Sequence, residues 1–403
     1  MEKNKNTPKL RFPEFTGEWE EKKLGEIGDI ITGLTYNPND INLNGVLVLR
    51  SSNIKDSILS FEDNVFVETN NYNPVRENDI LICVRNGSKS LIGKNTLIKK
   101  ENEGLAFGAF MVVYRSPMNL FIFQLFATEK YYKIINENLG ATINSINNSD
   151  LRKFEFQFPS LPEQTKIANF LTSVDEKLTQ LKKKKTLLKQ YKKGVMQKLF
   201  SQQLRFKDDN NQDFPDWQEK TLGEISKNVM YGMNSSAIAY DGINKYLRIT
   251  DIDEDSRKFI PNPLTSPEGD IENKYKLNEG DLVFARTGAS VGKSYLYNKS
   301  DGNLLFAGFL IRFAIQKENP YFIYLQTIQD SFKKWVQLMS MRSGQPGINA
   351  EEYKTLILDI PSLPEQQKIA TFLSAIDEKI NHCSAKIEKM EAWKKGLLQQ
   401  MFC

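Results

Sequence analysis

The sequence of 403 residues contains one histidine, His382, and three cysteines, Cys83, Cys383 and Cys403. A single histidine cannot build a multi-histidine metal site. Three cysteines without C-x-x-C spacing provide neither a zinc cluster nor a disulfide framework. Because unpaired cysteines are typical of a reducing compartment, we expect a cytoplasmic protein with no metal centre of its own.

Long hydrophobic runs are also missing. The longest apolar stretch, Leu304–Ile311, stops at Arg312 and is far shorter than the roughly 18 residues that a membrane span needs. The first residues lack the apolar core of a signal peptide, so we expect neither a secreted nor a membrane protein. The excess of positive charge is small, at +4, which permits a nucleic-acid partner without requiring one.

Catalytic motifs are absent as well: the sequence has no HExxH, no GxSxG, no GxGxxG after a strand and no Asn-Pro-Pro-aromatic tetrad. Gly288–Ser294 resembles a P-loop but has three residues between its glycines instead of four, and its counterpart, Gly87–Asn95, has five. A loop of variable length does not suit a phosphate cradle of fixed geometry. We therefore expect no catalysis by this chain and no cofactor in it.

The sequence does contain an internal repeat. The hexapeptide Pro159–Gln164 returns as Pro361–Gln366, and the match continues without gaps to Phe200 and Phe402. Ahead of these blocks the similarity reduces to scattered landmarks, such as the two copies of a Phe-x-x-Phe motif that end at Phe110 and Phe309. Variable and shared blocks thus alternate. We predict variable domains at 1–158 and 201–360, a central helix at 159–200 and a distal helix at 361–403.

The shared blocks carry apolar residues with alternating steps of four and three, which is the heptad spacing of a coiled coil. These predicted seam residues are Ile167, Leu171, Val174, Leu178, Leu181, Leu188, Ile369, Leu373, Ile376, Ile380, Ile387 and Met390, with Lys185 and Cys383 at the intermediate seam positions. Because the first helix delivers the chain to the second variable domain, a repeat-related helix must run back antiparallel. The alternative is that each helix packs on its own variable domain. The lysines at 182–193 are either a solvated face or a contact with phosphate or an acidic partner.

The variable domains contain short apolar runs bounded by turn residues, which predict strands at 45–49, 79–84, 281–285 and 309–313. One amphipathic helix is predicted in each domain, around Phe121–Asn138 and Tyr321–Met339. The predicted fold class is α+β. It comprises two globular mixed-sheet domains separated by two long antiparallel helices that form a coiled coil, with a pseudo-twofold internal repeat.

An arginine leaves a predicted buried strand and enters a glycine turn in both variable domains, at Arg85 and Arg286. Guanidinium forks bind guanine edges or phosphates, and Lys94 and Lys293 add charge to the same loops. Further candidate DNA contacts are polar loop residues, namely Asn144, Asn147 and Asn148 in the first domain and Arg342, Gln345 and Asn349 in the second. The alternatives are a hairpin whose arginine pairs with an acid, and loops that only connect a helix to a strand.

The architecture resembles the specificity subunit of type I restriction–modification systems. The likeness depends on Leu-Pro-Glu-Gln at 161–164 and 363–366, followed by Lys-Lys-Gly at 192–194 and 394–396. The resemblance implies that each variable domain is a target recognition domain reading one half of a bipartite double-stranded DNA site, and that the helices dock two methyltransferase subunits. It also implies that S-adenosylmethionine belongs to those subunits, and ATP and magnesium to restriction or motor subunits, where the system has them.

Two expectations about DNA follow. A helix of roughly 58 Å, at about 1.5 Å per residue, suits half-sites about one DNA turn apart, and we predict a spacer of about 5–8 base pairs. The low net charge predicts weak DNA binding by the chain alone. The competing interpretation is a coiled-coil scaffold whose variable domains bind protein.

Overall fold

The computed structural model describes residues 7–139, 144–341 and 345–403. The chain forms two compact units: unit 1 comprises Met1–Lys184 with Cys383–Cys403, and unit 2 comprises Lys185–His382. Each unit therefore combines one variable domain with a part of both shared blocks.

Unit 1 begins with a succession of short strands and ends with helices. Its strands are β1 (Glu20–Lys23), β2 (Asp29–Thr32), β3 (Ile41–Leu49), β4 (Ile54–Lys55), β5 (Ile58–Leu59), β6 (Phe66–Val67), β7 (Ile80–Cys83), β8 (Asn95–Leu97), β9 (Ala106–Phe107), β10 (Met111–Arg115) and β11 (Glu155–Phe158). Its helices are α1 (Leu24–Ile27), α2 (Asn119–Leu125), α3 (Glu129–Asn138), α4 (Asn148–Arg152) and the first part of α5 (Leu161–Phe200).

The central sheet of unit 1 has the order β2-β10-β7-β8, with every neighbouring pair antiparallel. Val113 on β10 lies between Ile31 and Leu81 on its two neighbours. A second sheet, β6-β3-β9, is mixed, because β3 pairs parallel with β9. The predicted strand at 79–84 is β7, and the predicted strand at 45–49 is the last part of β3.

Unit 2 repeats this plan. Its strands are β12 (Gln218–Thr221), β13 (Ser226–Tyr231), β14 (Ala237–Ala239), β15 (Lys245–Leu247), β16 (Thr265–Pro267), β17 (Asp281–Ala285), β18 (Ser294–Leu296), β19 (Leu304–Phe306), β20 (Leu310–Ile315) and β21 (Ile357–Ile360). Its helices are α6 (Pro320–Gln326), α7 (Asp330–Met339), α8 (Ala350–Lys354) and the first part of α9 (Leu363–Met401). The central sheet, β13-β20-β17-β18, has the same antiparallel order as the one in unit 1.

The single helix predicted in each variable domain is divided in two. In unit 1 the chain leaves helical geometry after α2, and the side chain of Thr128 then accepts a hydrogen bond from the Tyr131 amide at the start of α3. In unit 2 the same division separates α6 from α7. The prediction of one continuous helix was wrong because the apolar periodicity continues through the break, which a threonine side chain caps in unit 1 and no side chain caps in unit 2.

The two long helices run from Leu161 to Phe200 and from Leu363 to Met401, and their apolar residues belong to the cores of the units. In unit 1, the first seam residues of α5, from Ile167 to Leu178, share a buried cluster with Trp19, Phe121 and Phe158 of the variable domain. Leu397 and Met401 of α9 belong to the same cluster. In unit 2, the seam residues of α9 from Ile369 to Ile380 are likewise buried with Met196 and Leu199 of α5. Each helix start thus packs both on its own variable domain and on the end of the other long helix.

Two ion pairs show the helix direction within unit 1. Asp175 pairs with Lys394 at 2.5 Å, and Lys182 pairs with Glu391 at 2.7 Å between Nζ and carboxylate oxygens. The residue number rises along α5 while it falls along α9, so the two segments run antiparallel. Asp175 also accepts a hydrogen bond from Gln124 of α2, at 2.9 Å, which ties the helix pair to the variable domain.

Unit 2 contains the repeat-related contact. Asp377 of α9 accepts hydrogen bonds from Lys192 of α5, at 2.7 Å, and from the Tyr321 hydroxyl of α6. Asp377 is the repeat counterpart of Asp175, and Lys192 that of Lys394. In both units an aspartate on the first part of one long helix therefore joins the other long helix to the variable domain.

The glutamate of the repeated Pro-Glu-Gln motif is a buried anchor. Glu163 is 1% exposed and receives two hydrogen bonds from Arg11, both at 2.7 Å. Glu365 is equally buried and receives the same pair from Arg205, at 3.1 and 2.8 Å. The motif thus fixes the chain segment that enters each variable domain against the start of the following long helix.

Candidate nucleic-acid interface

The arginine predicted to face DNA in unit 1 lies at one end of the central sheet. Arg85 follows β7 and Phe110 precedes β10, and the antiparallel pairing of these strands brings the two residues together. The Arg85 amide donates to the Phe110 carbonyl at 3.2 Å. The guanidinium carbon lies 5.4 Å from the centroid of the Phe110 ring, in cation–π geometry.

A tight turn presents Phe110 to solvent. The Met111 amide donates to the Gly108 carbonyl at 2.8 Å, which closes the turn, and the Phe110 side chain is 57% exposed. Gly33, at the end of β2, lies against the same turn. A Cβ at Gly33 would be 2.2 Å from the Gly108 carbonyl oxygen, so only glycine permits this approach.

The polar loop that precedes α4 reaches the same sheet end. The Ile146 amide donates to the Val84 carbonyl at 2.9 Å, and the Asn86 amide donates to the Asn144 carbonyl at 3.2 Å. The Asn144 side chain in turn donates to the Gly87 carbonyl at 2.9 Å. Asn144 therefore lies beside Arg85 at this sheet end, which places two of the predicted DNA contacts on one surface.

Unit 2 has the same arrangement at the same sheet end. Arg286 follows β17, and its amide donates to the carbonyl of Phe309, which precedes β20, at 3.0 Å. Its guanidinium lies 5.7 Å from the Phe309 ring centroid and 4.9 Å from that of Tyr231. The turn is closed by the Leu310 amide, which donates to the Ala307 carbonyl, and Phe309 is 60% exposed.

The loop before α8 completes this surface. The Ile348 amide donates to the Arg286 carbonyl, and the Gly288 amide donates to the Pro346 carbonyl, both at 2.9 Å. Gln345 is exposed beside Gly288. Arg342, which was predicted to contribute here, lies outside the described residues.

The alternative that these arginines pair with acids in their own hairpins finds no support. Among residues 7–139, 144–341 and 345–403, neither Arg85 nor Arg286 forms an ion pair with a carboxylate. By contrast, the repeat-related Arg50 and Arg248 pair with Asp63 at 2.9 Å and Asp251 at 2.7 Å. The positive charges of Arg85 and Arg286 are therefore available to a partner.

The two predicted lysines have different surroundings. Lys94 is half-buried, and its ammonium donates to the Ser51 carbonyl at 3.4 Å. Lys293 is 8% exposed, and its ammonium contacts the Glu254 carboxylate at 2.7 Å and the Ile252 carbonyl at 3.1 Å. This contact lowers the pKa of Glu254. Because the Lys293 ammonium is buried and paired within its own domain, we do not retain Lys293 as a DNA contact.

Three asparagines of the predicted set have local structural roles. Asn147 and Asn349 are the N-caps of α4 and α8, and their side-chain oxygens accept the amides of Asp150 and Glu352, each at 2.9 Å. Asn148 is the half-buried first residue of α4. The interpretation of these positions as helix connectors accounts for the geometry at the caps. Asn144 and Gln345 remain the better-placed amides.

Sequence reasoning missed Phe110, Phe309 and Tyr231. The signal was present in the repeat, because Phe110 and Phe309 close the Phe-x-x-Phe landmark that both variable domains keep. Tyr231 has no such signal, since its contact with Arg286 arises from the pairing of β13 with β20.

Other kinds of site find no counterpart in the described part of the chain. It contains no group of three or more His, Cys, Asp or Glu side chains placed to hold a metal ion. Among the described helices, none combines the length and the apolar run that a membrane crossing requires.

Comparison with known families defines the class of protein. The model described as "Type I restriction modification DNA specificity domain" matches this chain twice, at residues 16–190 and 215–392. The matches cover both units, so the class is a chain with two DNA specificity domains. The protein belongs to the family of type I restriction–modification specificity subunits.

Individual relatives are distant but extend over most of the chain. The specificity subunit of the type I restriction enzyme EcoKI from Escherichia coli (strain K12) is 25% identical over 406 residues, which are 92% of this chain and 86% of that protein. The StySPI specificity subunit from Salmonella potsdam is 25% identical over 407 residues, with the same coverage. The crystal structure of a type I S subunit from M. genitalium has the same fold, with a TM-score of 0.65 at 19% identity, covering 98% of this chain and 99% of that one.

Proposed function

We propose that each variable domain of this specificity subunit reads one half of a bipartite double-stranded DNA site. The recognition domains are residues 1–158 and 201–360. The observation that carries the proposal is the unpaired arginine, with an exposed phenylalanine beside it, at the same sheet end of both domains. Two equivalent cationic surfaces on two domains of different sequence suit two different half-sites.

The proposed DNA contacts are the residues that form these surfaces. In the first domain they are Arg85, Lys94 and Asn144, and in the second they are Arg286 and Gln345. Arg342 stays in the proposed set on its sequence alone. Beside these surfaces lie Asn147, Asn148 and Asn349. Because the side-chain oxygens of Asn147 and Asn349 cap helices, these two would contact DNA through their side-chain NH2 groups.

The chemistry of the complex resides in partners under this proposal. The chain itself has no active site and docks two methyltransferase subunits, which bind S-adenosylmethionine and methylate adenine. Restriction or motor subunits use ATP and magnesium, where the system has them. The assembly acts on DNA in the cytoplasm.

The long helices set the distance between the half-sites. We propose that 159–200 and 361–403 form an antiparallel coiled coil with a pseudo-twofold axis. The paired contacts Asp175–Lys394 and Asp377–Lys192 support this, because a twofold axis exchanges equivalent residues of two helices in this way. Partly buried ion pairs at fixed positions also hold a helix pair in one register.

A helix extension tests the spacing. Inserting one heptad into each long helix adds about 10.5 Å, or about three base pairs, so the predicted spacer of about 5–8 base pairs should lengthen accordingly. The complete complex is produced in cells, and the modified adenines are mapped by sequencing. Both half-sites should stay the same, and an unchanged spacer would contradict the role of the helices as a ruler.

A domain exchange tests the reading itself. Replacing residues 1–158 by the equivalent domain of another specificity subunit should change one half-site of the modified sequence and leave the other intact. The wild-type chain and a replacement of 201–360 serve as the matched controls. If both half-sites survive either exchange, the domains do not read DNA, and the scaffold interpretation gains support.

A further inference from the structure

Two phenylalanines are exposed at equivalent places in the recognition domains. Phe110 and Phe309 are 57% and 60% exposed, whereas the strands that follow them, β10 and β20, begin with buried Met111 and Leu310. A single exposed apolar side chain is ordinary on a protein surface and needs no partner to explain it. A pair of them at repeat-related positions indicates a contact with a partner.

The backbone fixes where these rings project. Each ring sits on a turn closed by a main-chain hydrogen bond, of 2.8 Å in unit 1 and 2.9 Å in unit 2. Gly33 and its counterpart Gly232 lie against these turns. A Cβ added to either glycine would be only 2.2 Å from a carbonyl oxygen of the turn. The backbone of the turns that carry the rings is therefore fixed before any partner binds, which lowers the entropy cost of contact.

Each ring also supports a cation. The guanidinium of Arg85 or Arg286 lies over the neighbouring phenylalanine and has no carboxylate partner in the described residues. An unneutralised guanidinium beside an exposed apolar ring matches the two surfaces of a nucleotide backbone, a phosphate next to a deoxyribose.

Comparison of the two recognition domains indicates what each arginine–phenylalanine pair contacts. The recognition domains differ almost completely between landmarks, as domains for different half-sites must, yet they keep the arginine and the phenylalanine. Groups that read different bases have no reason to be the same. Groups that bind what all duplexes share, the sugar–phosphate backbone, do have such a reason.

We propose that the Arg85–Phe110 and Arg286–Phe309 pairs are backbone clamps. The guanidinium binds a phosphate, the phenylalanine packs on the adjacent deoxyribose, and the diverged loops around them read the bases. This inference rests on the proposed function, because it assigns backbone binding and base reading to different residues of a DNA-reading domain. It assigns Arg85 and Arg286 to affinity and orientation instead of base choice.

The test measures affinity and base preference separately. The complex with its methyltransferase subunits is assembled with wild-type chain, Arg85→Ala or Phe110→Ala, and its binding to duplexes carrying the mapped site and every single-base change is measured at several salt concentrations. Both variants should bind all duplexes about tenfold more weakly and keep the same order of preference. The negative slope of log K against log salt should become less steep by about 0.9 for Arg85→Ala and stay unchanged for Phe110→Ala.

Matched controls come from the same domain. Arg76 is exposed at the opposite end of β7, and Tyr132 is 41% exposed on α3. Arg76→Ala and Tyr132→Ala should leave affinity and salt dependence unchanged. Arg286→Ala and Phe309→Ala repeat the experiment in unit 2.

The outcomes distinguish failure of the backbone clamp from failure of the proposed DNA-reading function. A variant that relaxes preference at one base pair would show that the arginine reads a base, which overturns the clamp but leaves the domain as a DNA reader. Unchanged binding by Arg85→Ala and Phe110→Ala would also overturn the clamp. Only failure of the domain exchange, in which no half-site follows its domain, would remove the proposed function itself.

Discussion

The two recognition domains have the same sheet order but differ in the surroundings of a loop lysine. Both position an arginine and a phenylalanine at one end of a β-sheet of the same strand order. In the first domain the lysine of the following loop contacts only a carbonyl at 3.4 Å, while in the second it is buried against Glu254. The arginine and the phenylalanine are thus kept in both domains, while the lysine beside them has different surroundings in each.

The starts of the long helices sharpen this comparison and carry the largest expected effect. Glu365 accepts a hydrogen bond from the Trp217 indole at 3.2 Å besides its pair with Arg205, whereas the indole nitrogen of the equivalent Trp19 has no partner among the residues that the structure describes. Removing one member of a buried ion pair costs about 3–5 kcal/mol. Glu365→Ala should therefore destabilise unit 2 by about 3 kcal/mol or more, and Glu163→Ala should destabilise unit 1 by less.

Hydrogen exchange resolved by mass spectrometry measures both units in one experiment. Faster exchange of unit 2 peptides in Glu365→Ala than of unit 1 peptides in Glu163→Ala is the expected result. Trp217→Phe serves as the control, since it removes the indole hydrogen bond that Glu365 accepts and Glu163 lacks. In that background the Glu365→Ala and Glu163→Ala losses should be equal. Equal losses in the two glutamate variants would mean that the indole contact contributes nothing.

The aspartate contacts in the helix pair come next in size. Asp175→Lys places two ammonium groups together in unit 1 and should lower stability by about 1–2 kcal/mol, as should Lys394→Asp. The exchanged pair, Asp175→Lys with Lys394→Asp, restores opposite charges and should recover about 1 kcal/mol of that loss. Urea denaturation of the four proteins gives the coupling energy.

The same exchange in unit 2 is the matched comparison. Asp377 accepts from a tyrosine hydroxyl, where Asp175 accepts from the amide of Gln124. Either neighbour can also accept from a lysine, so Asp377→Lys with Lys192→Asp should show similar coupling. Strictly additive losses in both units would show that the pairs do not specify how the helices meet.

Much of the architecture follows from sequence pattern, because the repeat and the heptads are periodic signals. The long helices were predictable in this way, and short apolar runs bounded by turn residues predicted the strands at 79–84 and 281–285, which Arg85 and Arg286 follow. The burial of Lys293 was not, since its partner Glu254 is brought close only by tertiary folding. Nor did the sequence reveal that Glu163 belongs to an ion pair, because Arg11 is distant along the chain.

The loop lysines offer a smaller test of the difference between the domains. Lys94→Ala should weaken DNA binding by the assembled complex severalfold and reduce the salt slope by about 0.9, because one phosphate contact is lost. Lys293→Ala should leave the salt slope unchanged and lower the stability of unit 2 by about 1 kcal/mol. Salt-dependent binding and thermal unfolding of the same preparations distinguish these outcomes, and equal salt slopes would mean that Lys94 does not contact DNA.

The smallest effect concerns the glycines near the ends of the long helices. Gly194 and Gly396 occupy equivalent helical positions, and among the described residues no atom outside the adjacent helix backbone and the neighbouring residues lies within 4 Å of a Cβ added to either. Alanine is favoured over glycine in a helix by about 1 kcal/mol, so Gly194→Ala and Gly396→Ala should each raise the thermal midpoint by a few degrees. Calorimetry checks the gain, and Lys193→Ala, an exposed neighbour with similar propensity before and after, is the control. If only one of the two variants has a raised thermal midpoint, the surroundings of Gly194 and Gly396 are not equivalent.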